Sequence, residues 1–125
     1  MSIAKEFHTW VNEQPWVPGV VNFNIARPQS ADPWYVMQVS DAVNESVTLC
    51  SKGGEMTLEL RAFGSERYNT YEELEALREE IEDNLRYALP NYKVWKVMTT
   101  GTVALGTVEE SIIEYSCDIV ISWEV

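Results

Sequence analysis

Histidine and cysteine are scarce in this chain of 125 residues: there is one histidine, His8, and two cysteines, Cys50 and Cys117, with no CxxC pair. Zinc takes about four ligands of the Cys/His type, and these side chains fall short of that. A nucleophile needs a base within reach, and nothing in the spacing pairs His8 with either cysteine or with a serine. Glycine-rich phosphate loops are also missing. Gly53-Gly54 lacks the following Lys-Ser/Thr and opens a strand instead of a helix. The residue types of hydrolysis, redox chemistry and nucleotide binding are therefore not assembled, and the expectation is a non-enzyme with no cofactor and no metal.

Positive charge is scarce too. Nine basic residues face twenty acidic ones, for a net charge of −11, and no run of Lys or Arg occurs. A nucleic-acid backbone is held by a basic patch, so specific nucleic-acid binding is not expected. An acidic surface instead suits a wall past which DNA slides without sticking. Long apolar runs are missing, and none approaches the ~20 residues that span a bilayer. Met1 to Trp10 is charged and periodic, unlike a signal peptide. The sequence predicts synthesis in the cytoplasm, reduced thiols, and no use of the glycosylation sequon Asn44-Glu45-Ser46.

What the chain does have is 46% apolar residues and five tryptophans. That is enough for one domain over residues 1–125, at a length where roughly two-thirds of the unfolded surface is buried on folding. The strongest periodicity lies at the centre. Leu74, Leu77, Ile81, Leu85 and Leu89 form one helical stripe between Tyr71 and Leu89, opposite Glu72, Glu75, Glu79, Glu82 and Asp83. Thr70 and Glu73 have the spacing of a capping box, and Pro90 stops the helix. The carboxylates read as a solvated helix face, in preference to a hard-cation site. Just upstream, Glu55 to Phe63 alternates, with Met56, Leu58, Leu60 and Ala62 on one side, as a half-buried strand does.

The remaining elements follow from the same two periods. Ser2 to Glu13 reads as a short helix with Ile3, Phe7, Trp10 and Val11 on one face and Ser2 as its cap. Val20–Ile25, Trp34–Ser40 and Tyr92–Thr100 read as strands, and Ser46–Cys50 as a short one that Ser51 to Gly54 links to the next. Gly101 to Glu110 reads as a hairpin tip or a loop that orders on contact. Ile112 to Val125 alternates most cleanly, places Cys117 on its apolar face, and is predicted to run antiparallel to Tyr92–Thr100. The fold class is α+β: an antiparallel or mixed β-sheet packed by one long and one short α-helix.

Some apolar residues look surplus to this core. Trp10 and Trp123 lie on apolar faces, whereas Trp16, Trp34 and Trp95 are interface candidates. Strict alternation puts Trp34 and Val36 on the second face of one strand. It puts Val94 and Met98 together on one face of another, opposite Trp95 and Val97. Trp16, Trp34, Val36, Val94, Trp95 and Met98 are thus the candidate contact residues.

The strand–turn–helix from Met56-Thr57-Leu58-Glu59-Leu60-Arg61-Ala62-Phe63-Gly64-Ser65 through Tyr71-Glu72-Glu73-Leu74-Glu75-Ala76-Leu77 to Leu85 resembles that of tail terminator proteins of long-tailed bacteriophages. The short first helix and the long last strand fit the same layout. The resemblance is one of architecture over most of the chain and rests on no diagnostic motif. It implies a virion structural protein that forms a homohexameric ring on the end of the tail tube, stops tube polymerisation and joins tail to neck. Its partners would be other copies of itself, the tail tube protein and neck or head-closure proteins, with DNA passing through the lumen. It would act in the tail–neck region of the virion, away from any membrane. Two alternatives stand beside it: a head-closure or other neck protein, and a small acidic inhibitor that mimics DNA.

Overall fold

A computed structural model describes residues 2–29, 31–39, 44–47 and 52–125, with backbone only for 44–47 and 52. The chain runs α1 (Ile3–Asn12), β1 (Val21–Phe23), β2 (Trp34–Val39), β3 (Asn44–Val47), β4 (Lys52–Gly64), α2 (Thr70–Asn84), a 3-10 turn (Leu85–Tyr87), β5 (Lys93–Thr99), β6 (Val103–Glu109) and β7 (Ile112–Glu124). The strands form one mixed sheet in the order β1-β2-β4-β7-β5, with β3 also on β4 and β6 also on β7. Among the described residues only the β1–β2 pair is parallel. The class is α+β, as the periodicities predict.

Both helices cover one face of the sheet. The apolar stripe of α1 (Ile3, Phe7, Val11) and that of α2 (Leu74, Leu77, Ile81) enter one core with Met56, Leu58, Leu60 and Ala62 of β4 and Cys117, Ile119, Ile121 and Trp123 of β7. The register makes this possible: Leu60 lies opposite Cys117, Leu58 opposite Ile119 and Met56 opposite Ile121, so period-2 alternation sends each pair to the same side. On the opposite face a small second cluster joins Val36, Phe63 and Ile112, with half-buried Trp34 packed on it.

Polar side chains fix the helices to the sheet. Ser2 caps α1 by accepting from the Lys5 N–H at 3.3 Å. Asn12 holds the edge strand β1 by both ends of its amide. Its Oδ1 accepts from the Val21 N–H at 2.8 Å, and its Nδ2 donates to the Val21 carbonyl at 2.9 Å. His8 Nε2 reaches the same carbonyl at 2.5 Å. The half-buried histidine thus has a structural task. At the start of α2, Tyr35 donates its hydroxyl to Glu73. Burial, and then that carboxylate, push the Tyr35 phenol well above its ordinary range.

Several boundaries differ from the sequence reading. The N-cap of α2 is Asn69 and makes no side-chain cap hydrogen bond. Thr70 is already helical and buried, and the Glu73 carboxylate is drawn to Tyr35 instead of back to the cap. The long helix ends at Asn84; a 3-10 turn carries Leu85 into the core, and Leu89 is buried beyond it. Lys52 to Gly54, read as a connection, is the paired start of β4, where a Cβ on Gly53 would stand 2.6 Å from the Trp123 carbonyl oxygen. The first strand is shorter than Val20–Ile25, and Ile25 is exposed. Thr48, Leu49 and Cys50, the end of the predicted short strand, lie outside the described residues.

Candidate interaction surface

The segment read as a hairpin tip or loop, Gly101 to Glu110, is mostly strand β6. β5 and β6 follow one another along the same side of β7: β5 pairs with Ile119 to Glu124, and β6 with Ile112 to Ser116. Between them the Thr100 N–H donates to the Asp118 carbonyl at 3.0 Å, and the Asp118 N–H donates to Thr100 Oγ1 at 2.9 Å. The result is a long, broken edge strand with no further strand beyond it among the described residues.

This edge carries three bulges. Register shifts between Val94 and Lys96, Ala104 and Gly106, and Thr107 and Glu109 leave Trp95, Leu105 and Val108 as the extra residues. Each bulge breaks alternation and sends a side chain off the pleat. All three extra residues are large, apolar and exposed, and so are Met98 and Val103. Five of the eleven exposed large apolar residues among those described therefore lie on this one edge. Scattered apolar residues are ordinary, whereas a run on one edge marks a contact surface.

The bulge at Trp95 also corrects the expected faces of β5. Val94 and Val97 both turn to the core side, opposite Trp123 and Ile121, while Met98 turns outward opposite Val120. Val94 is 3% exposed and belongs to the main core. Val36, 5% exposed, belongs to the second cluster. Neither offers free surface, because Trp34, Phe63 and Ile112 cover Val36 and the bulge turns Val94 inward. Trp16 packs edge-on to Trp10, ring centroids 5.6 Å apart, and lies half-buried against the main core. Trp34 is half-buried with its indole N–H enclosed. Trp95, 55% exposed, and Met98, 52% exposed, remain on the surface. Sequence reasoning missed Val103, Leu105 and Val108. Their signal was Gly106, which interrupts the alternation and adopts φ +130°.

Two polar networks hold the edge in place. Glu75 on α2 makes a two-pronged ion pair with Arg78, at 2.9 and 3.0 Å, and accepts the Thr102 N–H at 2.7 Å. Arg78 donates onward to Thr99 Oγ1 at 2.7 Å. These bonds, Arg78 first and Thr102 second, hold the Glu75 carboxyl at about 2, below its ordinary value of 4.5. At the far end, Arg27 reaches Glu109 at 2.5 Å while its Nε donates to the Ala31 carbonyl at 2.8 Å. Between these anchors β6 projects with Val103 to Val108 exposed.

At the other end of the edge, a groove of about 640 Å³ lies beside the 3-10 turn. It is lined by Tyr87, Leu89, Val94 and Trp95, with Arg86 and Lys93 among its walls and Glu124 as their acidic neighbour. The placement of cations is informative in so acidic a chain. Arg27, Arg61 and Arg78 are committed to ion pairs within the molecule. Arg86, Lys93 and Lys96 form no ion pair among the described residues, and Arg86 and Lys93 line this groove together. No group of His, Cys, Asp and Glu suited to a metal occurs among the described residues. Cys117 is buried, and desolvation pushes its thiol up to about 12, as for an inert core residue.

The arrangement is that of an α+β domain with helices on one face of a mixed sheet and a bulged apolar strand along one edge. The same fold occurs in a chain from the virion of a native gene transfer agent particle. The two superpose with a TM-score of 0.67 at 10% sequence identity, over 99% of this chain and 98% of that one. No family model matches the chain, and no curated protein matches it in sequence.

Proposed function

We propose that this protein is a structural component of a phage-like virion, of the tail terminator type. In this reading copies join into a ring on the end of the tail tube, end its growth and offer a surface to neck proteins. The role is structural and not catalytic. The exposed apolar edge from Trp95 to Val108 carries the reading. A ring needs two different surfaces on each subunit, and a long edge anchored to the body but not covered by it is one such surface. The fold shared from end to end with a chain of a gene transfer agent virion supports the same class of role. The net charge of −11 suits a lumen through which DNA passes without binding.

A head-closure or other neck protein would use the same edge in the same part of the particle. The acidic-inhibitor reading has less support. Glu59, Glu75, Glu109 and Glu114 are taken up by arginines of the same chain, which spoils a continuous DNA-like row of charge.

Light scattering of the purified protein over a wide concentration range, with negative-stain imaging of the same samples, tests the proposal. Rings of several subunits, or binding confined to the ends of isolated tail tubes, are the expected results. A monomer at every concentration that also ignores tube ends refutes it.

A further inference from the structure

We propose that the β6 arm of one copy seats in the groove beside the 3-10 turn of the next copy; this rests on the ring reading above. The two surfaces are complementary in chemistry. The arm presents Val103, Leu105 and Val108, and ends at Glu110 in the tight turn before β7. The groove presents Tyr87 and Trp95 beside buried Leu89, with Arg86 and Lys93 at its walls and Glu124 opposite Lys93. An apolar segment with an acidic tip meets an apolar channel with cations. This is one of the few places where a chain of net charge −11 can accept a carboxylate from its own kind.

Geometry favours a contact between copies. Groove and arm lie at opposite ends of β7, whose 13 residues span about 40 Å at about 3.3 Å each, so an arm cannot fold back into its own groove. A contact that uses two unlike surfaces at opposite ends of the subunit is heterologous, and repetition closes it into a ring or extends it as a filament. The bulges at Leu105 and Val108 break the regular ladder that a strand from another chain would need. The arm therefore docks through its side chains and not by strand addition.

Two variants test this: Leu105→Asp on the arm, and Lys93→Glu with Trp95→Ala in the groove. These side chains are exposed, so each protein should melt as the parent does. Native mass spectrometry should find each variant alone to be monomeric at concentrations where the parent forms rings. A 1:1 mixture should give heterodimers and nothing larger, because one intact arm then meets one intact groove. Glu110→Lys should restore assembly to Lys93→Glu. If either variant forms rings as the parent does, the arm–groove contact is wrong while the ring stands. If the mixture stays monomeric, the contact is also wrong. A parent that forms no oligomer into the hundreds of micromolar overturns the contact, and the ring falls with it only if the protein also ignores the ends of isolated tail tubes.

Discussion

Gly64 shows how tightly single residues are fitted where β4 hands over to α2. A Cβ at this position would lie 1.9 Å from Thr70 Oγ1 and 2.9 Å from Thr70 Cβ. Because Thr70 is itself buried, it has little room to yield. Gly64→Ala is expected to cost about 1–3 kcal/mol, the range for overpacking, and Thr70→Ala should recover part of that loss in a thermal melt of the double variant. Trp34, a contact candidate in the sequence, is half-buried in the second cluster. It packs on Val36, Phe63 and Ile112, so Trp34→Ala should lower the melting temperature of the isolated protein. A melt identical to the parent's would show that the second cluster contributes nothing to stability.

Among the elements, α2 does two jobs. Its apolar stripe closes the core, and Ile81 is fully buried there. Ile81→Asp would place an unpaired charge in that core and is expected to abolish the cooperative melt. Its polar flank holds the break between β5 and β6 through Glu75, Arg78, Thr99 and Thr102. The Glu75 carboxyl has a folded value of about 2 against an ordinary 4.5. Its contribution to stability is therefore complete above the ordinary value and is lost as pH falls towards 2. Glu75→Gln should be less stable at neutral pH and should lose less stability across that acid window. Denaturant melts at a series of pH values would read both effects, and parallel curves for variant and parent would refute the link.

At the scale of the whole molecule, the residues that hold the fold together are separate from those of the proposed assembly. Core and second cluster account for Val36, Val94, Trp16 and Trp34, whereas the bulged edge leaves Trp95, Met98 and Val103 to Val108 outside. Trp95→Ala alone should leave the melting temperature unchanged and weaken association, read by light scattering. A loss of melting temperature would mean that Trp95 belongs to the body instead. Added salt should weaken association as well, because screening reduces the pull of Arg86 and Lys93 on an acidic partner. Insensitivity to salt would leave the contact purely apolar.

The sequence by itself determined the elements whose signals are local and repeated. The stripes of α1 and α2 and the alternation of β4 and β7 are written in periods of 3.6 and 2, and these faces are the ones buried. From those elements came the α+β class and the antiparallel β5–β7 pair. The tertiary structure alone decided where alternation breaks. A bulge is defined by the strand opposite, so the register of β7 turned Val94 inward, left Trp95 outside and made β6 a strand with Leu105 and Val108 exposed. It also decided that Val36 is covered, because Trp34, Phe63 and Ile112 come from three strands that only the folded sheet brings together. Local periodicity records what a residue's own element prefers; whether a face is covered depends on partners distant in the chain, and the candidate contact surface is what those partners leave uncovered.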